Sequence, residues 1–150
     1  MKQSNMSFVV HPWLCDAMGH LSARYFAAFF DDAAYRLFVD IDGTPRSMQQ
    51  RGLGWADVKH TIEYRHEVTQ GSILCAYSRV LRIGNKSIDH FHELVDVESR
   101  ATCASMTAVT ARMSLSERHA VPISDDVRRR AESLMNEHLL DEIGWNFAGG

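Results

Sequence analysis

At 150 residues, 45% hydrophobic and 23% charged, the chain has the composition of one ordinary globular domain, residues 1–150, with enough apolar material for a core. Its formal charge of −3 gives no general attraction to phosphate backbones, and Arg128-Arg129-Arg130 is its only dense basic run, which argues against nucleic acid as a partner. The three cysteines, Cys15, Cys75 and Cys103, are odd in number and far apart, so they support neither a disulfide framework nor a paired-cysteine zinc motif, and a reducing cytoplasm is the expected setting.

The N-terminal residues lead into only three apolar positions, Phe8, Val9 and Val10, before His11 and Pro12, too few for a signal-peptide core or a membrane span. Phe8 to Trp13 is short, β-branched and aromatic, and reads as a first strand whose end Pro12 marks. The run Cys15-Asp16-Ala17-Met18-Gly19-His20-Leu21-Ser22 then sets one carboxylate at a glycine-bearing turn, with Ser22 as the N-cap of a helix. Within that helix, Phe26, Phe29, Phe30, Ala33 and Leu37 recur at helical spacing, which predicts four to five turns ending near Asp40-Ile41-Asp42-Gly43. A helix so apolar on most sides must be surrounded by protein.

Thr44 to Gly54 reads as a connection with a short helical turn around Met48. From Trp55 the period becomes two, with Ala56, Val58, His60, Ile62 and Tyr64 on one face of a half-buried strand. Thr69-Gln70-Gly71-Ser72 turns the chain into a strand over Ile73 to Ile83, and Gly84-Asn85 turns it again. Lys86 to Val97 and Thr102 to Leu115 supply two more strands around the polar turn Glu98-Ser99-Arg100. Ser124 with Asp125 and Asp126 opens a last helix, and the tail after Gly144 is expected to be loose. Consecutive strands with short turns predict an antiparallel sheet, with the one long apolar helix against its concave face.

Four local features, in this order, resemble the hotdog-fold acyl-CoA thioesterases of the hydroxybenzoyl-CoA thioesterase class. They are the turn from Asp16 through Gly19-His20-Leu21-Ser22, the aromatic helix through Phe29-Phe30-Asp31-Asp32, the Gly84-Asn85-Lys86-Ser87 turn, and Val121-Pro122-Ile123 before a terminal helix. The likeness implies an α+β hotdog fold: an antiparallel sheet of about five strands wrapped around one long central helix, with a C-terminal helix. Ser22 and Phe26 depart from it, standing where relatives often carry Asn and Tyr.

The implied chemistry is hydrolysis of an acyl-CoA thioester. Asp16 would attack the carbonyl or activate water, and the helix-start N–H of Ala23 would receive the oxyanion, with His20 orienting a water or holding the turn. Asp31 is a second candidate acid, since some relatives carry theirs on this helix, across a dimer; Asp32 is expected to pair with Arg36. Gly19, Ser22 and Trp55 are candidate substrate contacts, while Lys86, with Ser87, Arg82, Arg112 and Arg118 as weaker candidates, would meet the phosphates of coenzyme A.

His90 and His92, two apart on one strand, lack a third ligand, so no metal is expected and they are read as a wet sheet surface or subunit contact. On that reading Phe91, Val95 and Val97 face the helix. No cofactor is implied. The expected assembly is a homodimer or homotetramer with the site between subunits. A hotdog hydratase or dehydratase, or a module that binds acyl-CoA without turnover, are the alternatives.

Overall fold

The computed structural model describes residues 6–135. β1 (Met6–Val9) is followed by a 3-10 turn (Pro12–Leu14), α1 (Ala23–Asp42), α2 (Pro45–Gln50), β2 (Leu53–Tyr64), β3 (Ile73–Ile83), β4 (Ser87–Asp96), β5 (Thr102–Ser114) and α3 (Asp125–Glu132). The strands form one antiparallel sheet in the order β1-β3-β4-β5-β2, curled around α1 in the expected hotdog arrangement. The expected loose tail beyond Gly144 lies outside the described residues.

Local chemistry sets the bounds of α1. Ser22 is extended and its hydroxyl accepts from Arg24 N, so the helix starts at Ala23. At the other end Gly43 adopts φ 92°, ψ 178°, a region open essentially to glycine, and its N–H closes on Val39 O. Gly43→Ala is therefore expected to lower stability by about 1–3 kcal/mol, read as a shift in the urea unfolding midpoint with an unchanged slope.

The buried stripe Phe26, Phe29, Phe30, Ala33, Leu37 and Ile41 places α1 on the concave face of the sheet. Its N-terminal rings share a core with Ala76, Ala104 and Ala108, small residues that let a helix rich in phenylalanine approach the strands. The C-terminal half packs with Val80, Ile88 and, from α3, Val127 and Ala131.

Three expectations from the sequence are corrected by the structure. β1 stops at Val9, because Pro12 lacks an N–H and opens a 3-10 turn instead; Trp13 is exposed and stacks on His11 at 4.3 Å. In β2 the register shifts between Asp57 and Lys59, leaving Val58 bulged and 66% exposed. The bulge swaps the parity of the strand, so that Trp55 and Asp57 before it share the helix side with His60, Ile62 and Tyr64 after it.

The faces of β4 are also reversed from expectation. Ile88, His90, His92 and Leu94 are all fully buried toward the helix, whereas Val97 is exposed; only Val95 is buried as expected. Asp89 and Glu93, which share the other face with Phe91, were the signal that this face is not the core side.

Candidate active site

The Asp16 turn is built by its own backbone. Asp16 N donates to His20 O at 2.8 Å, Gly19 N donates to Asp16 O at 3.0 Å, and Gly19 sits at φ 80° where a side chain would be strained. Asp16 Oδ1 accepts from Met18 N at 2.9 Å and His20 N at 3.2 Å, so the carboxylate caps its own loop, as aspartate does in Asx turns. Among the described residues Oδ2 accepts no hydrogen bond and is left for a ligand or water.

The chain beyond the turn is clamped to the rest of the fold. Leu21 N donates to Val68 O at 2.7 Å, Ser22 N donates to Leu14 O at 3.0 Å, and His20 pairs with Thr69 across an antiparallel bridge. The His20 imidazole stands 3.2 Å from the Glu67 carboxylate, the partner that sequence reasoning could not name. Ala23 is the first helical residue, and among the described residues its N–H has no acceptor, as the first turn of a helix dictates. Asp16, His20, Ala23, Phe26 and Tyr64 line one open cleft of about 320 Å³. A carboxylate and a free helix-start donor thus share a wall, the arrangement an acyl carbon and its oxyanion require.

Asp31 lies elsewhere. It is eight residues along the helix from Ala23, about 12 Å at the helical rise, and lines a second cavity of about 210 Å³ with Tyr35, Phe38, Trp55, Asp57 and Thr110. Burial first, then the neighbouring charges of Asp57 and Asp32, raises the pKa of Asp31 from its ordinary value, against the lowering pull of His60. The expected Asp32–Arg36 pair is not formed; Arg36 turns forward to Asp40 at 3.1 Å.

Trp55 rests against Phe38 with ring centroids 4.6 Å apart and donates its indole N–H to Asp42 at 3.1 Å. Arg112 is corrected from a surface cation to a buried one. It is 6% exposed, and its Nε reaches Asp42 Oδ2 at 3.1 Å, so it cannot meet a phosphate without leaving the core.

Lys86 and Arg82 are exposed and Ser87 half-buried, all around the turn that ends β3, whereas the Asp16 loop adjoins the start of that strand. An eleven-residue strand separates the two ends by about 33 Å. In register these cations lie nearer Trp55 than Asp16, since Arg112 opposes Trp55 and donates its N–H to Lys86 O. Arg82 stands 3.8 Å from Asp89. Arg118 is held at φ 59° in the turn after β5.

Sequence reasoning missed Asp57 and Thr110. Thr110 Oγ1 donates to Asp57 Oδ1 at 3.0 Å and contacts His90 Nε2 at 2.8 Å, while His90 Nδ1 meets His92 Nε2 at 2.7 Å and His92 Nδ1 meets Ser78 Oγ at 2.6 Å. All four imidazole nitrogens are therefore committed to hydrogen bonds within the core. Burial lowers the pKa of His90 to about 4 and that of His92 well below the ordinary histidine value, so both rings are neutral at pH 7.

Solved structures with this architecture are numerous. An oleoyl thioesterase assignment from Lactobacillus plantarum superposes with a TM-score of 0.77 at 16% identity over 87% of this chain, which spans only 51% of that protein's length. The hypothetical protein SAV2348 from Staphylococcus aureus, solved in complex with CoA, gives 0.81 at 12% identity over 100% of this chain and 98% of its own. The gentisyl-coenzyme A thioesterase BH1999 gives 0.73 at 17% identity over 85% and 98%. At such identities these likenesses establish the fold alone. No curated protein matches the chain by sequence. The sequence pattern of the thioesterase-like superfamily matches residues 10–131, most of the chain, and the protein belongs to that superfamily.

Proposed function

We propose that the protein hydrolyses an acyl-CoA thioester to the free acid and CoA. The observation that carries this reading is the shared cleft of Asp16 and Ala23, with the Ala23 N–H unsatisfied and Asp16 Oδ2 open. Water activated by Asp16, or Asp16 itself, adds to the thioester carbon; the oxyanion is met by the helix-start amides and the positive end of the helix dipole; the C–S bond breaks and the thiolate takes up a proton, and on the second route a water then hydrolyses the Asp16–acyl anhydride, releasing the acid and restoring the carboxylate. Superfamily membership and a fold relative crystallised with CoA support the substrate class. Within the superfamily we place the chain with the hydroxybenzoyl-CoA class, on the strength of its Asp16 to Ser22 turn.

One observation favours a second reading of the acid. The Asp31 cavity is the less open of the two and its carboxyl has the raised proton affinity suited to acid–base work. A single chain holds Asp31 about 12 Å of helix away from Ala23, so Asp31 would serve a thioester held by the helix start of a second copy. Among the described residues the outer side of β2 is an unpaired edge of the sheet, with Val58 and Tyr64 exposed along it, which supports a homodimer or homotetramer as the working form. Among the described residues no helix is long and apolar enough to cross a membrane.

The test is release of free thiol from a panel of short, branched and aromatic acyl-CoAs, alongside light scattering at micromolar concentration. Thiol release with at least one acyl group is expected. A hydratase would consume enoyl-CoA without releasing thiol, a binding module would retain acyl-CoA without turnover, and a monomer would count against a shared site.

A further inference from the structure

The buried histidine pair is the least expected feature of the core. Two imidazoles with no exposure cost more to bury than the leucines and valines around them, unless every nitrogen is bonded, and here every nitrogen is. The bonds form an unbranched chain from Ser78 on β3, through His92 and His90 on β4, to Thr110 on β5 and Asp57 on β2. At Ser78 the chain ends in the core. Its other end opens into a cavity, because Asp57 is half-exposed and lines the space that also holds Asp31.

A carboxylate can only accept, and that fixes the order of every donor behind it. Thr110 gives its proton to Asp57 and so must accept from His90 Nε2–H. His90 Nδ1 must then accept from His92 Nε2–H, and His92 Nδ1 from the Ser78 hydroxyl. Four donors in a row point toward one carboxylate, each polarising the next. The arrangement ties Asp57 Oδ1 to Thr110 in the cavity that Asp57 lines together with Asp31, Phe38 and Trp55.

We propose that Asp57 is a positioning residue for Asp31, and that the chain Ser78–His92–His90–Thr110 serves to hold its carboxylate in the cavity the two aspartates share, where its negative charge favours a proton on Asp31 over a second bare carboxylate. This rests on the reading in which Asp31 takes part in thioester hydrolysis. The groups facing Asp31 are Asp32 and Tyr35 on its own helix, Asp57 and His60 on β2, and Thr110 on β5 with His90 behind it. After burial, the charges of Asp57 and Asp32 raise the proton affinity of Asp31 and His60 lowers it. His60 Nε2 lies 3.5 Å from Asp57 Oδ1.

The experiment is a carboxyl-carbon NMR titration of the full chain labelled at aspartate, with the Asp31 signal assigned by its loss in Asp31→Asn. Asp57→Asn, at the half-exposed cavity wall, removes the charge while leaving the core intact, and is expected to lower the Asp31 midpoint by at least about half a pH unit, as loss of an adjacent like charge does. Thr110→Val, which keeps Asp57 but unties it, should lower the midpoint by a smaller amount, and Thr110→Ser, which keeps the hydroxyl, should restore the wild-type value. An Asp31 midpoint unchanged in Asp57→Asn overturns the proposal. So does a folded Thr110→Val that titrates like wild type, or a Thr110→Ser that fails to restore the midpoint. The titration needs no substrate, so it decides this inference even if no acyl-CoA is hydrolysed, an outcome that would fail the proposed function alone. Where thiol release is found, the acid limb of its pH profile should move down in Asp57→Asn together with the midpoint, and an unmoved limb would remove Asp57 and Asp31 from the reaction.

Discussion

Asp16→Asn is expected to lower thioester turnover by at least ~100-fold while leaving the unfolding midpoint close to wild type, since removing a positioned acid–base group costs 10²–10⁴-fold. The fold should survive because the loop does not depend on a charge. Its closing bonds, Asp16 N to His20 O and Gly19 N to Asp16 O, are made by backbone, and the amide oxygen of Asn can still accept from Met18 N and His20 N. What the substitution removes is the charged carboxylate in the cleft that Asp16 lines together with Ala23. Asp31→Asn should cost only roughly 10-fold, below the 10²–10⁴-fold of a directly positioned acid–base group. The two variants, compared by kcat at equal folded concentration, rank the acids; a larger loss in Asp31→Asn would transfer the principal role to the helix and to a site shared between copies.

The parts of the fold legible in the sequence were those fixed by short-range chemistry. Ser22 and Gly43 bracket α1 because a capping hydroxyl and a glycine-only conformation act within one turn of the residues they bound. β3 begins and ends where turn residues change the period of the chain, and α2 forms where Thr44 caps and Pro45 opens a helix around Met48. The Asp16 loop was readable for the same reason. Its geometry is closed within seven residues, and His20 and Ala23 follow it into the same cleft.

What escaped depends on distant partners. Nothing in the alternation of β2 reveals that Val58 is squeezed out against β5, and the swap in parity is what turns Asp57 toward the helix. His90 and His92 read as surface residues because the groups that satisfy their ring nitrogens lie far away in sequence. Ser78 and Thr110, on the two flanking strands, are what make a buried imidazole pair tolerable. Arg112 read as an available cation because the carboxylate that claims it stands 70 positions earlier in the chain.

That carboxylate also accounts for the largest expected loss of stability. Asp42, 1% exposed at the end of α1, accepts from Arg112 Nε and Trp55 Nε1 at Oδ2 and from Arg51 Nη1 at Oδ1, each at 3.1 Å. Asp42→Ala strips the counter-charge from a guanidinium that is itself 6% exposed, and breaking a buried pair from one side costs about 3–5 kcal/mol. At roughly 3 °C per kcal/mol for a domain of this size, the thermal midpoint should fall by about 10 °C or more. The cost is one of isolation rather than of the pair itself, so Asp42→Leu combined with Arg112→Met should recover much of the loss, because an apolar pair of similar volume leaves no buried charge. Trp55 supplies an internal reporter. Its indole loses its acceptor in both variants, so near-ultraviolet circular dichroism should change in both, while the thermal midpoint recovers only in the double variant. A double variant no more stable than Asp42→Ala would mean that Asp42 acts chiefly through Trp55 and Arg51, as the post that fixes the aromatic wall beside Asp31 and Asp57.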